Sequence, residues 1–552
     1  MGGYSMKQRM TLAVLTLATI ISFGRAYGAA EVIPGEYLVK YKGSSFLSST
    51  SVRSIGGMRI ASDNTFGKLL KVKVAPGQEA RTLGALLKNP NVAYVVPNIK
   101  MYAYLRAPSL KTTMETVSLQ DQWALGKVHA QEAWTRAGNR GSQSVTVAVI
   151  DTGADYNHES LKPNMVQGYD FKDNTADPMD KTSSSGNPGH GTHCSGIIGG
   201  TGLVEGGIIG VSPNVSIMPL RFLGEDGSGD LDSAIKSIDF AIQHKVQVIS
   251  ASWGASVDSA QAQPLVDAVK RADDAGIIFV TAAANDGADN DTTNVYPANA
   301  NWANTITVAA SDSSDRKPSW SNYGKKNVHL ASPGDNIMST LPGNKYGALS
   351  GTSMATPLVA GLVAFLKAQD ASLTGAETRS LLQLTGVKVN IQTACNCRVD
   401  AFAAVDSLLN KKLFVSPAAK TVAVGDALQF EGKFGQAPLS FSLSDSSVGT
   451  LDAATGLFKA TAAGSTTVTV RDASGQTSTS LEIRVAQGTN GNGGGGLPTP
   501  PPDDGGGPTP PDNGDGSALP PGGARAGSCP LGDQALCDAV CKSQPTLPFC
   551  HQ

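Results

Sequence analysis

The sequence predicts an α/β domain with a mostly parallel sheet and helices on both faces, within a chain of 552 residues that is long enough for several domains. Five runs have the continuous apolar character of strands buried on both faces: VTVAVI, VSIMPL, VQVIS, GIIFVTAA and TITVAA. Segments with helical spacing separate them, among them DSAIKSIDFAIQH and AQPLVDAVKRADDAG. Because strands that alternate with helices indicate a parallel sheet, we assign residues 105–411 to this domain.

A smaller domain is predicted on each side of the α/β domain. Over residues 31–104, the runs YLVKY, LLKVKVA and VAYVVPN alternate like strands and EARTLGALLKN has helical spacing, which indicates a small α+β domain. Residues 412–486 contain short alternating runs between frequent turn signals, which is typical of an immunoglobulin-like β-sandwich. Residues 487–526 are rich in glycine and proline and predict a linker.

The N-terminus predicts export from the cell. Residues 1–30 combine Lys7 and Arg9 with an apolar run and then small residues, which is the pattern of a secretory signal peptide. A membrane anchor is the weaker alternative because the run is shorter than the ~20 residues of a span. We therefore expect a secreted, extracellular protein without a membrane span after signal removal, and we expect a monomer. The net charge of −2, with 16% charged residues, gives no reason to expect nucleic acid as a partner.

The chain has seven cysteines, and the predicted export to an oxidising environment affects how they are interpreted. Residues 527–552 form a cysteine-rich segment that contains Cys529, Cys537, Cys541 and Cys550. We expect these four cysteines to form two disulfides of unknown connectivity, and a metal site is the alternative. Cys395 and Cys397 are near enough to bond each other, but the ring would be strained, so their state stays open.

Three glycine-rich motifs carry the chemistry: AVIDTGAD around Asp151, GHGTHCSG around His190 and LSGTSMATP around Ser353. A serine hydroxyl becomes a useful nucleophile when an imidazole takes its proton and a carboxylate orients that imidazole. Asp151 ends an apolar strand, where open α/β sheets place their active sites. Ser353 precedes a strong helical pattern, and a helix N-terminus favours a developing negative charge. A zinc site at His190 and His193 is disfavoured because no acidic ligand accompanies them at metal-site spacing.

These motifs, in the chain order Asp, His, Ser, resemble those of the subtilases, the subtilisin-like serine proteases, over about residues 122–409. The resemblance implies that Ser353 is the nucleophile, His190 the base and Asp151 the orienting acid, whereas His193 is structural. It also implies that Cys194 is a free, buried thiol beneath the base, as in the proteinase K-like and thermitase-like branches. Such a thiol would make the protein sensitive to mercurials, while the alternative is an inert buried cysteine.

The resemblance extends to substrate binding. In VTAAAND it places an oxyanion donor on Asn285, beside Ala284 where the family usually has glycine, and the backbone N–H of Ser353 would be the second donor. Two segments, LGEDGSGD and SASWG, resemble those that flank a bound peptide as extra strands. Without a clearly placed acid at the pocket base, we expect broad cleavage after apolar or aromatic residues. The flanking residues are Gly227, Ser228, Gly229, Ser252, Trp253 and Gly254.

The segment VAYVVPNIKMYAY resembles the end of a subtilisin-type inhibitory propeptide. Residues 31–104 would then assist folding and occupy the cleft until self-cleavage after Tyr104, an aromatic residue that suits the expected specificity.

Calcium is implied by a second resemblance. YDFKDNTADPMD is similar to the thermitase-type calcium loop, with Asp170, Asp173 and Asp177 as candidate ligands of a structural ion, and a solvated acidic turn is the alternative. The family's other common site should be absent, because Ser160 stands where it needs an acid.

The sequence as a whole predicts a secreted serine endopeptidase that hydrolyses peptide bonds through an acyl-enzyme. Its partners would be protein or peptide substrates and its own propeptide as an intramolecular inhibitor, and the chemistry needs no cofactor. One alternative is a peptide ligase or cyclase that transfers the acyl group to an amine. Another is a surface- or substrate-binding protein in which the protease fold is a scaffold.

Overall fold

The computed structural model describes residues 30–43, 46–104, 113–183 and 186–487. The predicted signal peptide, linker and cysteine-rich segment lie outside these residues, apart from Ala30 and Gln487 at their edges. The expected pairing of the four C-terminal cysteines therefore remains a prediction. Within the described part of the chain, none of the helices combines the length and apolar character needed to cross a membrane.

The N-terminal domain has two helices and four strands. The three strands and the helix expected from the sequence are present, together with an additional helix and an edge strand between them. β1 lies between β3 and β4, with both neighbours antiparallel, and β2 extends the sheet beyond β3. The elements are β1 (Val32–Tyr41), α1 (Phe46–Arg53), β2 (Met58–Asn64), β3 (Leu69–Val74), α2 (Glu79–Lys88) and β4 (Val92–Ala103).

The central domain confirms the predicted fold class. Its nine-stranded sheet has the order β17-β18-β14-β13-β11-β9-β5-β7-β6, and every neighbouring pair except β17 and β18 is parallel. β15 and β16 form a separate antiparallel hairpin. The strands are β5 (Thr146–Asp151), β6 (Tyr169–Asp170), β7 (Ser216–Arg221), β8 (Ser228–Asp230), β9 (Val248–Ala251), β10 (Trp253–Ser256), β11 (Ile278–Ala282), β12 (Val295–Tyr296), β13 (Thr305–Ser311), β14 (Leu330–Pro333), β15 (Ile337–Leu341), β16 (Lys345–Leu349), β17 (Val387–Lys388) and β18 (Cys397–Arg398).

Helices cover both faces of this sheet. One of them, α8, is apolar on all sides and runs through the largest core, with its first fifteen residues buried. A helix that is apolar all round must be buried, and here it begins beside the predicted nucleophile. The helices are α3 (Trp123–Lys127), α4 (Ala130–Ala137), α5 (His190–Gly199), α6 (Leu231–Gln243), α7 (Ser259–Asp274), α8 (Thr352–Gln369), α9 (Gly375–Thr385) and α10 (Ala401–Leu409), with short 3-10 helices at Lys162–Asn164 and Ala298–Ala300.

The N-terminal and central domains share one seven-stranded sheet. β4, the last strand of the N-terminal domain, pairs with β1 on its own side and continues into pairing with β8 and β10 of the central domain. The chain of the N-terminal domain is thus carried into the predicted substrate cleft.

The C-terminal domain is all-β, as predicted. Its strands form four small sheets around a single apolar core, and β20 pairs in parallel with β29. The domain packs on α9, where Ser380 Oγ lies 3.1 Å from Ser416 Oγ. The strands are β19 (Phe414–Ser416), β20 (Lys420–Ala423), β21 (Ala427–Gln429), β22 (Glu431–Lys433), β23 (Ser440–Leu443), β24 (Gly449–Leu451), β25 (Leu457–Ala460), β26 (Gly464–Thr466), β27 (Val468–Arg471), β28 (Thr477–Thr479) and β29 (Ile483–Ala486).

Beside this junction, Cys395 and Cys397 are joined by a disulfide, the pairing that the sequence left open. Cys194 is the free cysteine of the described residues.

Candidate active site

Three side chains from separate motifs meet at the carboxyl end of the central sheet. Asp151 ends β5, His190 begins α5, and Ser353 lies in the first turn of α8; all three are fully buried. His190 Nδ1 is 2.7 Å from Asp151 Oδ1. A side chain at Gly191 would place its Cβ 2.1 Å from the carbonyl oxygen of Gly153, so the glycines of these motifs let α5 approach the end of β5.

Asn187 fixes the start of α5. Its Oδ1 accepts the backbone N–H groups of Gly189 and His190, at 2.9 and 2.8 Å. An amide oxygen that accepts free N–H groups at a helix start stabilises that end and holds its first side chains in place. The sequence reasoning missed this residue, although an asparagine three positions before a helix is a recognisable signal.

Ser353 faces the end of the N-terminal domain. Its Oγ lies 2.8 Å from the carbonyl oxygen of Tyr104 and 2.9 Å from that of Ser252. His190 Nε2 has no hydrogen-bond partner among the described residues. The serine hydroxyl is thus directed at the two carbonyl oxygens, and the hydrogen bond through which an imidazole would take its proton is not formed in this arrangement.

The Tyr104 carbonyl oxygen is also held by Asn285, whose Nδ2 donates to it at 2.7 Å. Thr352 orients this amide, because its N–H and its hydroxyl both donate to Asn285 Oδ1 at 2.9 Å. Ser353 Oγ makes the other hydrogen bond to this carbonyl oxygen, and the role of the Ser353 N–H as a second oxyanion donor stays a prediction.

The Tyr104 side chain fills an apolar pocket. It is 2% exposed and packs in one cluster with small residues: Ala282, Ala284, Val295 and Ala298. Gly254 forms part of the wall, since a Cβ there would lie 2.2 Å from the Tyr104 hydroxyl. Ala284, at the position where the sequence predicts an added methyl, has φ +88°, a conformation that favours glycine.

The two predicted substrate segments lie on either side of β4. Met101 and Tyr102 pair with Gly229 and Ser228 of β8. On the other side, Ala103 pairs with Trp253 of β10. Backbone hydrogen bonds continue to the end of the strand, from Ala103 N–H to the Gly227 carbonyl at 3.0 Å and from Tyr104 N–H to the Ser252 carbonyl at 3.2 Å.

This arrangement is a peptide held as an added strand, with one carbonyl oxygen placed between an amide donor and a serine hydroxyl.

Comparison with known proteins agrees with this arrangement. The family described as Subtilase family matches residues 142–404, and the Bacterial Ig-like domain (group 2) matches residues 411–483. A thermophilic serine proteinase of Bacillus sp. (strain AK1) is 33% identical over 375 residues, which cover 67% of this chain and 87% of the relative. The chain belongs to the subtilase family.

Other subtilases show the same likeness. Thermitase of Thermoactinomyces vulgaris is 38% identical over 269 residues, 49% of this chain and 89% of thermitase. The solved structure of fervidolysin from Fervidobacterium pennivorans, a keratinolytic enzyme related to subtilisin, has a TM-score of 0.58 at 22% identity and covers 80% of this chain and 71% of fervidolysin, which shows a shared fold. The chain is therefore a subtilisin-like serine protease, a hydrolase of the EC 3.4.21 class.

Two further residues of this subtilase, His193 and Cys194, follow His190 in α5. His193 is buried and its Nε2 lies 3.0 Å from the Gly347 carbonyl oxygen; burial lowers its pKa to about 3, so it stays neutral. Cys194 Sγ lies 3.5 Å from the Ser353 carbonyl oxygen, and burial raises the pKa of its thiol well above the usual value. Cys194 is thus a protonated, inaccessible thiol rather than a nucleophile.

Asp180 is a buried carboxylate that the sequence reasoning did not single out. It accepts the N–H and the hydroxyl of Thr192, at 2.9 and 2.6 Å, and the Asn187 amide at 2.7 Å. Burial raises its pKa to about 6. Asp180 thus links Thr192 of α5 to Asn187, the residue that orients the start of that helix.

Subtilases generally bind calcium for structural purposes, but the predicted loop in this chain does not fit the ion. Asp170 and Asp173 both pair with the Arg221 guanidinium, at 2.5 and 2.8 Å, and Lys181 lies 2.6 Å from Asp173. Asp177 instead accepts the Tyr156 hydroxyl. The three carboxylates do not converge on one point, and cations already neutralise two of them. These contacts disfavour an ion at the loop in this arrangement, and calcium binding by Asp170, Asp173 and Asp177 stays an unconfirmed prediction.

Proposed function

We propose that this subtilase is a secreted zymogen, which cleaves itself after Tyr104 and then acts as an endopeptidase of broad specificity. The observation that carries the proposal is the position of the Tyr104 carbonyl, with Asn285 Nδ2 at 2.7 Å and Ser353 Oγ at 2.8 Å. A scissile peptide bond must present its carbonyl to both the nucleophile and an oxyanion donor.

In the proposed reaction, His190 takes the Ser353 proton and the oxygen attacks the carbonyl carbon. Asp151 holds the imidazole in the required tautomer through the 2.7 Å contact with Nδ1. Asn285 donates to the oxygen as it becomes negative, and His190 then gives its proton to the departing amine. Water, activated by the same imidazole, releases the acyl group. A hydrogen bond between His190 Nε2 and the Ser353 hydroxyl must form before the proton is transferred, because Nε2 has no partner within the described part of the chain.

Residues 31–104 would serve as the intramolecular inhibitor. Outside the cleft, the domain contacts α6 and α7 through polar pairs: Lys71 lies 3.4 Å from Asp232, and the Tyr94 hydroxyl lies 2.7 Å from Asp267. Cleavage after Tyr104 leaves these contacts and the β4 pairings intact. A product held by so many contacts would keep occupying the cleft until it is itself degraded or released.

The pocket supports a preference for apolar or aromatic residues before the cut. The side chains that pack on Tyr104 are Ala282, Ala284, Val295 and Ala298, and none carries a charge. Met101, three residues earlier, is also fully buried. Burying a large apolar side chain contributes roughly 1.5–3 kcal/mol, so two such positions would dominate the choice of substrate.

The test is the secreted Ser353→Ala protein. We expect it to accumulate with residues 31–104 attached and without activity on casein, whereas the parent protein begins at Leu105. Ser237→Ala is the matched control, because Ser237 is buried but donates only within α6, to the Ser233 carbonyl. Normal maturation and casein degradation by the Ser353→Ala protein would overturn the proposal.

A further inference from the structure

A cavity of about 220 Å³ lies where the central and C-terminal domains meet. The central domain contributes Lys325 and Lys388 to its lining, and the C-terminal domain contributes Lys420 and Arg484. Four cationic side chains from two domains therefore surround one space, and none of the lining residues belongs to the proposed active site.

The positive charge of this cavity is only partly balanced. Glu482 is the one carboxylate among the lining residues, and its Oε1 accepts the Ser465 hydroxyl and lies 3.6 Å from Arg484 Nη2. Lys388 Nζ donates to the Cys395 carbonyl at 3.1 Å. Lys420 has no hydrogen bond or ion pair with any of the described residues. With all groups ionised, three positive charges remain in excess.

Lys420 has the most unfavourable surroundings of the four. Burial, followed by repulsion from Arg379 and Lys326, lowers its pKa to about 7. A partly buried ammonium without a partner is unfavourable, and in a cavity that can admit a ligand an anion removes this penalty directly. The cationic lining therefore has a stronger physical preference for an anion than for water.

We propose that this cavity binds a small oxyanion with two or more negative charges, of the phosphate or sulfate class. Because a water molecule occupies about 30 Å³ of liquid, the cavity has room for one such anion and a few waters. Cavities for drug-sized ligands run from roughly 300 to 1,000 Å³, so a larger organic ligand fits less well. Charge-assisted hydrogen bonds from lysine and arginine are the usual means of holding such oxygens.

The anion would hold the C-terminal domain against the central domain. Lys388 of the central domain and Lys420 of the C-terminal domain line the same cavity, and one anion bound to both would link the two domains. Binding would thus stabilise the folded two-domain arrangement. At a free anion concentration one hundred times Kd, the ratio of folded to unfolded protein should rise about 100-fold.

The experiment uses the full-length Ser353→Ala protein, which avoids self-digestion, with inorganic phosphate as the probe. Isothermal titration calorimetry should give a saturable heat, and thermal unfolding should show a saturable increase in Tm, in buffer matched in ionic strength with sodium chloride. Lys420→Met should weaken phosphate binding at least 10-fold. Lys459→Met is the control, since Lys459 is exposed in the same domain and is not part of the lining; it should bind like the parent.

A second readout is independent of stability. Lys420, with its low pKa, should react with an amine-directed acylating reagent near pH 7, and phosphate or sulfate should protect it while chloride at equal ionic strength should not. Phosphate and sulfate also stabilise proteins by exclusion from their surface, which is not saturable and does not need Lys420. An equal Tm increase in the Lys420→Met protein, absence of a binding heat, or unchanged labelling of Lys420 would each overturn the proposal.

Discussion

Replacing Asn285 by alanine tests the proposed oxyanion site most directly. The change removes the 2.7 Å hydrogen bond to the Tyr104 carbonyl oxygen. Loss of such a donor costs about 2.7–4 kcal/mol in the transition state, or roughly 100- to 1,000-fold in kcat, a range measured in subtilisin itself, a relative of this chain. Because self-cleavage and substrate cleavage would use the same donor, we expect both rates to fall by a similar factor.

The same replacement also affects stability, and a second variant separates the two effects. Without Asn285 Oδ1, the N–H and hydroxyl of Thr352 lose their acceptor, at a cost of about 1–3 kcal/mol in the free energy of unfolding. Asn285→Asp keeps that acceptor but turns a carboxylate towards the developing negative charge. It should therefore be more stable than the alanine variant and at least as slow.

The assays are the rate at which the N-terminus at Leu105 appears, followed by mass spectrometry, and kcat/KM on a peptide with tyrosine before the cut. Asn164→Ala is the control, because Asn164 is a buried amide that donates to the carbonyls of Gly199 and Pro213, remote from the cleft. It should lose stability but keep its kcat. If the folded Asn285→Ala protein cleaved within 3-fold of the parent, the reasoning about the oxyanion site would be refuted.

Three other changes have defined outcomes. Ala284→Gly removes the backbone strain of alanine at a positive φ and a methyl beside Tyr104, and stability should be nearly unchanged. The ratio of kcat/KM for substrates with tryptophan before the cut to those with tyrosine should rise about 10-fold, and an unchanged ratio would contradict the pocket assignment. Arg221→Met leaves the buried Asp170 unpaired and should lower the free energy of unfolding by about 3–5 kcal/mol in denaturant melts, against less than about 1 for the exposed pair broken by Lys181→Met. Burial raises the pKa of Asp180 from 3.8 to about 6, so its protonation stabilises the folded state fully below pH 4, and this contribution of roughly 3 kcal/mol is lost as the pH rises through 6. Asp180→Asn should therefore flatten the fall in the free energy of unfolding between pH 4 and 6, and an unaltered fall would exclude Asp180 as its source.

Local patterns predicted much of the fold. The five apolar runs became β5, β7, β9, β11 and β13, since a strand buried on both faces needs apolar side chains at every position. β2 was missed for the converse reason. Half-buried and exposed positions alternate along it, but its polar sequence, MRIASDN, hardly reflects that alternation, and its place at the sheet edge depends on pairing with β3. The motif residues that meet in the site were also foreseen, because each lies in a turn whose glycines permit close approach.

The unconfirmed calcium prediction shows what local pattern leaves out. An acidic loop has the same sequence whether its charges face a metal ion or an arginine, and Arg221 is about fifty residues from Asp170 in the chain. The two meet because β6 pairs with β7 in parallel, with Asp170 opposite Arg221. The register of two strands thus decided the partner of the carboxylate. The cation-lined cavity at the domain junction was equally hidden, since its cations come from two domains.

The polar contacts outside the cleft would leave paired charges on the protease if the N-terminal domain departs, as the proposal requires. Asp232 contacts Lys71 of the N-terminal domain, but it also pairs with Lys236 of its own helix at 2.8 Å. Asp239 accepts the Asn64 amide and pairs with Arg271 at 2.7 Å. Each carboxylate therefore keeps a cation after the N-terminal domain departs, and water can replace the lost hydrogen bonds. The interface also has an apolar part, since Val96, Ile99 and Met101 of β4 belong to the same hydrophobic cluster as residues of α6 and α7. Departure of the N-terminal domain would therefore leave the charged groups paired but expose an apolar patch of the protease. The proposed self-processing thus requires that substrate or solvent cover this patch after the cut.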